Sequence, residues 1–353
     1  MRNALVSCLV TIMILSNHSP CQAQGFPPAE SVKRMVTPNG FQVRLVASEP
    51  LIRQPLSMSF DSRGRLWVLQ YLQYPNPAGL KPVSRDQFLR TVWDRVPEPP
   101  PHGPRGADRI TILSDPDESG QFTRSRDFVT GLNLASGFCL GNGGVYVVQP
   151  PYLLFYPDRN QDDVPDSDPE VLLTGFGMED SHAYANSLQW GPDGWLYGAQ
   201  GSTVTAKIRN PKFPKLEPVE FQQAIWRFHP RTHRFEVFAE GGGNTWGLDI
   251  TWEGEVFWTQ PTSGTVLFHT VLPESVLAKG RIPGTTSWKG MITGQKTYPA
   301  MTWPEQAYVQ IDLVGQFTAA AGCAIYDGGA WPGKWRYAYF TGEPTLNIVH
   351  QQF

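Results

Sequence analysis

Apolar and polar positions along this chain alternate in short bursts, each broken by a turn rich in Gly, Asp or Pro. The clearest burst is residues 182–201, HAYANSLQWGPDGWLYGAQG. Leu188 and Trp190 alternate with polar neighbours, Pro192-Asp193-Gly194 reverses the chain, and Trp195, Leu196 and Tyr197 resume the apolar pattern. Period-two alternation on both sides of Asp-Gly predicts a β-hairpin, because the tightest hairpin turns need residues that tolerate positive φ. No stretch carries a helical heptad.

The same phrase recurs. SFDSRGRLWVLQ (Ser59 to Gln70) and LDITWEGEVFWTQ (Leu248 to Gln260) are close copies, and GFCLGNGGVYVVQ (Gly137 to Gln149) and GCAIYDGGAWPGKWRYAYFTGE (ending at Glu343) are looser ones. That makes five repeats, spaced roughly 50 to 80 residues apart, near or above the blade periods of propellers. Sheets repeated around an axis use such units without exposing long edges. The expectation is an all-β, six-bladed-type β-propeller of four-stranded antiparallel blades over residues 40–353, its last blade incomplete. GFQVRLVA, from Gly40 to Ala47, alternates cleanly and predicts a strand that closes the ring. Residues 71–107 are proline-rich, with a short helix expected at Arg85–Asp94; an insertion of this length is either a lid or a covering loop packed down by Trp93 and Tyr74.

Composition narrows the reading further. With 34 Gly, 32 Pro, 17% charged residues and a net charge of −3, the chain is a loop-rich globular protein with no reason to bind nucleic acid. Arg2 followed by the apolar run Ala4 to Leu15, then Cys21-Gln22-Ala23, predicts a cleaved signal peptide over residues 1–23 and an exported, periplasmic or envelope-associated protein. Residues 24–39 read as an N-terminal extension. Cleavage leaves Cys139 and Cys323. They occupy equivalent places in the second and fifth repeats, across a six-bladed ring, too far apart for the roughly 4.4–6.8 Å Cα separation of a disulfide. Two separate buried thiols are expected.

Two stretches carry candidate chemistry. DRNQDDVPD places Asp158, Asn160, Asp162 and Asp166 at alternating positions with the Val164 carbonyl between them. Hard cations such as Ca²⁺ take six to eight oxygens, and such a loop supplies several. Pro169 and Asp163 stand where an EF-hand needs Glu and Gly, so the alternatives are a different Ca²⁺ loop or a solvated acidic turn. Further on, Gly241-Gly242-Gly243-Asn244-Thr245-Trp246 allows close backbone approach by a ligand or a tight bend at the inner rim.

Several longer phrases identify a relationship: GFQVRLVASEPLIRQPLSMSFDSRGRLWVLQ, VPEPPPHGPRGADRITILSD, SHAYANSLQWGPDGWLYGAQGS, GGGNTWGLD and EPTLNIVH. Nearly all of residues 40–350 resembles the propeller domain of bacterial membrane-bound dehydrogenases of the C-x-x-C-H haem-binding type, and is similar in turn to soluble glucose/sorbosone dehydrogenases. The resemblance implies oxidation of a sugar or polyol, with electrons passed to a quinone or haem acceptor. It implies His182 as general base and Asn186, Asn244, Trp246 and Asp249 as the cofactor-pocket wall of a Ca²⁺-dependent module. His182 stands one residue further from the hairpin strand than in the sugar dehydrogenases. Gly243 replaces an Arg that clamps their cofactor, which argues against pyrroloquinoline quinone. The sequence has no C-x-x-C-H motif, and the resemblance places a sixth repeat and a cytochrome c-type haem domain downstream, so the chain is expected to be a fragment. The competing reading is a non-catalytic glycan-binding propeller with Trp190, Trp195 and Trp246 as stacking platforms.

Overall fold

A computed structural model describes residues 26–88, 90–280, 283–298 and 315–353. The expected signal peptide lies outside them. The chain divides into two compact units, Met1–Leu45 and Val46–Phe353. In the first, helix α1 (Pro28–Arg34) opens on Pro28, whose missing N–H is not needed in the first turn. An Arg34–Glu30 pair at 2.9 Å lies along its surface.

The second unit is a run of antiparallel sheets. Strands β1 (Pro55–Phe60) and β2 (Leu66–Gln70) form the inner hairpin of blade one. The chain then leaves for a ribbon, β3 (Pro82–Arg85) and β4 (Thr91–Trp93), and returns as β5 (Asp108–Pro116) and β6 (Phe122–Leu132). Blade two is β7 (Gly137–Leu140), β8 (Gly144–Gln149), β9 (Tyr152–Pro157) and β10 (Glu170–Thr174). Blade three begins with β11 (Asn186–Trp190) and β12 (Leu196–Gln200). It detours through a ribbon, β13 (Ala206–Ile208) and β14 (Val219–Phe221), and finishes with β15 (Ala224–His229) and β16 (Arg234–Glu240). Blade four is β17 (Leu248–Ile250), β18 (Val256–Thr259), β19 (Leu267–Thr270) and β20 (Trp288–Gly290), with helix α2 (Glu274–Gly280) before its last strand. Blade five is β21 (Ala321–Tyr326), β22 (Ala338–Glu343) and β23 (Ile348–Gln352).

Each repeat phrase is an inner hairpin, and its turn chemistry is the expected one. Trp190 pairs with Leu196 around Gly191–Trp195, where Gly194 has φ +77° and donates to the Gly191 carbonyl at 3.0 Å. Gly64 and Gly254 close the matching turns of blades one and four in the same way. The all-β propeller expectation therefore stands, but the blade count is corrected. The described residues form five blades, four with four strands and one with three, instead of six four-stranded blades. One reason is the stretch from Gly40 to Ala47, which joins no sheet. Only Val46 accepts a backbone bond from Phe122, at 2.8 Å, and Ala47, Leu51 and Ile52 lie against Leu66, Val68 and Leu113 as a cover on blade one. The helix expected at Arg85–Asp94 is also absent. Val83, Thr91 and Val92 favour extended backbone, and Asp86 closes the β3–β4 turn by accepting from the Phe88 and Arg90 amides at 2.9 and 3.0 Å.

The core is divided between neighbouring sheets. Trp67, Leu69 and Ile110 meet Phe138, Val147 and Leu154 between blades one and two. Val148, Leu153 and Leu173 meet Leu188, Leu196 and Trp226 between two and three. Tyr197 and Ile225 meet Trp258 and Phe268 between three and four, and Val266 meets Ile325 and Tyr339 between four and five. Trp226 is fully buried and donates to the Ala199 carbonyl at 3.2 Å; its ring fills the space above Gly198, where an added Cβ would meet it at 2.3 Å. Cys139 and Cys323 are free thiols in two different cores, as expected, although on a five-bladed framework. Burial pushes the Cys139 thiol up to about 12 and Cys323 well above its ordinary value. Among the described residues no helix is long and apolar enough to cross a membrane.

Candidate active site

The segment between β10 and β11 carries the one His that sequence analysis singled out. Asp180 sets it. One carboxylate oxygen accepts from the His182 backbone N–H at 2.9 Å and lies 2.8 Å from imidazole Nδ1; the other accepts from Thr203 Oγ1 at 2.7 Å. This turn fixes backbone and ring together, so the imidazole has one orientation. The free edge of the ring, Nε2, lies 2.6 Å from the Tyr74 hydroxyl, with the two rings edge to face. Tyr74 comes from the proline-rich insertion of blade one. That insertion is pinned to the same segment: the Thr91 amide donates to the Glu179 carbonyl and Trp93 Nε1 to the Met178 carbonyl, each at 2.7 Å.

The electrostatics follow from burial and pairing. The Asp180 side chain is only 15% exposed while His182 remains 65% exposed. Burial raises the Asp180 carboxyl, but hydrogen bonds from His182 and Thr203 outweigh it and hold the group below the usual carboxylate range. The bond to Asp180 raises the His182 imidazole above its ordinary 6.5, against the opposing effect of burial. Burial and the Asp180 charge raise the Tyr74 phenol. With Nδ1–H donated to Asp180, neutral His182 presents its Nε2 lone pair to the Tyr74 hydroxyl. This is the arrangement of a general base held in one tautomer.

Of the four residues expected to line the pocket, two are near His182. Asn244 Nδ2 donates to the His182 carbonyl at 3.3 Å, and its Oδ1 accepts from the Ser202 amide at 3.3 Å. Gly201 leaves room for this amide, since a Cβ there would meet Asn244 Oδ1 at 2.1 Å. Trp246 packs half-buried against Tyr71, Leu134 and Ala183. The other two are structural straps. Asn186 is fully buried; its Nδ2 donates to the Tyr184 and Thr245 carbonyls and its Oδ1 accepts from Ser187 and the Gly247 amide. Asp249 accepts from Gln189 of blade three at 3.1 Å and from the Ile325 amide of blade five at 2.7 Å, joining three blades. Burial pushes its carboxyl up to about 6. Asp180 and Thr203 escaped the sequence reading, and Tyr74 entered it only as a residue packing down the insertion. Asp180 alone had a local signal, an acid two residues before His182.

The acidic loop is built differently. Asp162 accepts from Asn160 Nδ2 at 3.0 Å and the Val164 amide at 3.0 Å, Asp158 accepts from the Asp162 amide at 3.1 Å, and Asp166 accepts from the Arg159 amide at 2.8 Å. Their oxygens are turned to their own backbone. Among the described residues no three His, Cys, Asp or Glu side chains converge on one point. The loop's carboxylates are engaged by hydrogen bonds in this arrangement, and the Ca²⁺ expectation rests on the sequence pattern alone. Asp163, between them, instead receives both Nη atoms of Arg65 at 2.6 and 2.8 Å, tying blade two to blade one. An anionic quinone also finds no clamp at Gly243. With φ +124° and the Gln260 side chain 2.3 Å from any Cβ, that position excludes a side chain.

The three tryptophans proposed as stacking platforms are engaged in packing. Trp190 donates to the Leu140 carbonyl at 2.8 Å and stands edge-on to Tyr146, and Trp195 is covered by Arg227, 4.3 Å from its centroid. Trp246 is the half-buried ring described above.

Among solved structures the chain is similar to the pyrroloquinoline-quinone-bound aldose sugar dehydrogenase of Streptomyces coelicolor, with 14% identity and a TM-score of 0.42, covering 85% of this chain and 81% of that one. It is similar to a streptogramin B lyase (12% identity, TM-score 0.36, 86% and 84% covered). It is also similar to the apo form of the soluble aldose sugar dehydrogenase of Escherichia coli (12%, 0.29, 88% and 76%). Similarity at this level assigns no residue a role. No curated protein matches the sequence. Residues 27–353 match the family model described as a domain of unknown function, DUF7133, and the chain belongs to that family.

Proposed function

We propose that this chain is the propeller domain of an exported oxidoreductase that oxidises a hydroxyl of a sugar or polyol, with His182 as the proton acceptor. The observation that carries the reading is the Thr203–Asp180–His182–Tyr74 chain of hydrogen bonds, which fixes the ring through Nδ1 and sets Nε2 against a hydroxyl. A substrate hydroxyl replaces Tyr74 at Nε2 and gives up its proton there, and Asp180 stabilises the imidazolium that forms. Asn244, bonded to the His182 carbonyl, holds the backbone of the base in place. A quinone, when bound, would supply the acceptor for the carbon-bound hydrogen, taken as hydride, with a haem as the next electron acceptor. Pyrroloquinoline quinone itself lacks its guanidinium clamp at Gly243, so no step is assigned to it.

The test is dye-linked oxidation of a panel of aldoses and polyols by the purified chain and its His182→Ala variant. Turnover of at least one alcohol that is lost with His182 supports the reading; turnover unchanged by the substitution, or none across the panel with any acceptor, overturns it.

A further inference from the structure

Blade one carries a cavity of about 210 Å³ remote in sequence from His182, between residues 50–53 and the ends of β2, β5 and β6. Its floor is a continuous hydrogen-bonded row. The Arg53 amide donates to Gln70 Oε1 at 2.7 Å, Gln70 Nε2 donates to Thr111 Oγ1 at 2.7 Å, and Thr111 Oγ1 donates to Asp127 at 2.6 Å. Arg109 reaches Asp127 through a single Nη1 at 3.3 Å, and its buried Nε–H has no acceptor among the described residues. The row orients every floor group before a ligand arrives, so little ordering remains to be done on binding.

Two lining residues, the exposed Arg53 and Ser125, have side chains with no hydrogen-bond partner among the described residues. The charged lining is Arg53, Arg109 and Asp127, a net +1 by formal charge. Its shape is small, below the roughly 300–1,000 Å³ of drug-sized sites, so it suits a single sugar-sized molecule. A guanidinium free to take a carboxylate, beside a carboxylate and hydroxyls placed to bond ligand hydroxyls, selects a ligand with an anionic end and a polyhydroxylated body. The net positive lining favours a monoanion over a zwitterion or a neutral sugar.

We propose that this cavity is a binding site for a hexuronate-type sugar acid, with Arg53 on the carboxylate and Asp127 and Ser125 on ring hydroxyls. It is separate from the His182 site and does not depend on the oxidoreductase reading.

The experiment is calorimetric titration of the full chain with glucuronate, glucose and serine, repeated for Arg53→Ala, Ser125→Ala and His182→Ala. The Arg53 and Ser125 side chains bond to nothing among the described residues, so both variants should melt like the parent. Saturable glucuronate binding is expected. It should weaken by about tenfold or more in Arg53→Ala and by a smaller factor in Ser125→Ala, in line with loss of a charge-assisted bond against a neutral one. Glucose should bind at least about tenfold more weakly than glucuronate by the same reasoning, and His182→Ala should leave binding unchanged. Absence of glucuronate binding at millimolar concentration, affinity indifferent to both blade-one substitutions, loss only in His182→Ala, or preference for glucose or serine each overturns the proposal.

Discussion

The acidic loop at 158–166 and the segment at 178–184 both bring carboxylates to the surface of neighbouring blades, and they use them in opposite ways. In the loop, Asp158, Asp162 and Asp166 bond the backbone amides of their own turn, and the remaining acid, Asp163, is taken by Arg65 of the next blade. In the segment, Asp180 bonds the backbone of the turn and a titratable ring at once, and that ring's other nitrogen meets the hydroxyl of the exposed Tyr74. Density of carboxylates says little about chemistry. What matters is whether a carboxylate's partner carries a reactive atom beyond the one that holds it.

The sharpest way to break this contrast is His182→Ala. Activity on any alcohol should fall by about 10²–10⁴-fold, the usual worth of a positioned base. The melting temperature should hardly move, because the ring is mostly exposed. Asp163→Ala should do the reverse. It removes two short bonds from a guanidinium whose side chain is 17% exposed, costing about 2–3 kcal/mol in urea unfolding without touching activity. A loss of activity with unchanged stability in that variant would reverse the two assignments.

Asp180→Asn sharpens the comparison from the site's own side. It removes the group that raises His182, so the imidazole should titrate closer to 6.5 by NMR. Since the neutral ring is the base, the rising limb of the activity profile should then move to lower pH. For stability the signs are opposite. The raised imidazole contributes below 6.5 and its contribution is lost as pH rises through the folded value, whereas the lowered Asp180 contributes above 3.8 and is lost as pH falls through its own. The pair therefore stabilises most between those limits, and for so exposed a ring by less than about 1 kcal/mol. An unchanged imidazole titration in the variant would remove Asp180 from its positioning role.

The smallest effect is expected from Asp162→Ala, within about 0.5 kcal/mol, as for most exposed positions. Addition of Ca²⁺ or of a chelator should likewise leave the melting temperature of the parent unchanged. A rise of several degrees with Ca²⁺, abolished in Asp162→Ala, would show the loop's oxygens turning to a metal instead.

Much of the framework was legible because it is local. Leu188 and Trp190 alternate, Asp193-Gly194 turns, and the hairpin forms as its pattern demands. His182 stands just before that hairpin, so its place in the chain was legible too, but its hydrogen-bond partners were not. The number of blades was not. Gly40–Ala47 has a strand's alternation, yet it joins no sheet, because alternation predicts which residues share a face and says nothing of whether an edge is available. Asn186 and Asp249 had the right chemistry for a pocket and became straps, since the neighbouring blades offered buried amides that needed acceptors.

By itself the sequence determined the class of fold and the places of the inner hairpins. These depend on period-two patterning and turn stereochemistry, which act over a few residues. Only the tertiary structure decided that Tyr74, 108 residues away, meets His182, that Thr203 backs Asp180, and that Arg65 claims Asp163. Those pairings depend on how one blade packs on the next, and a short polar side chain carries no mark of which distant partner that packing will bring.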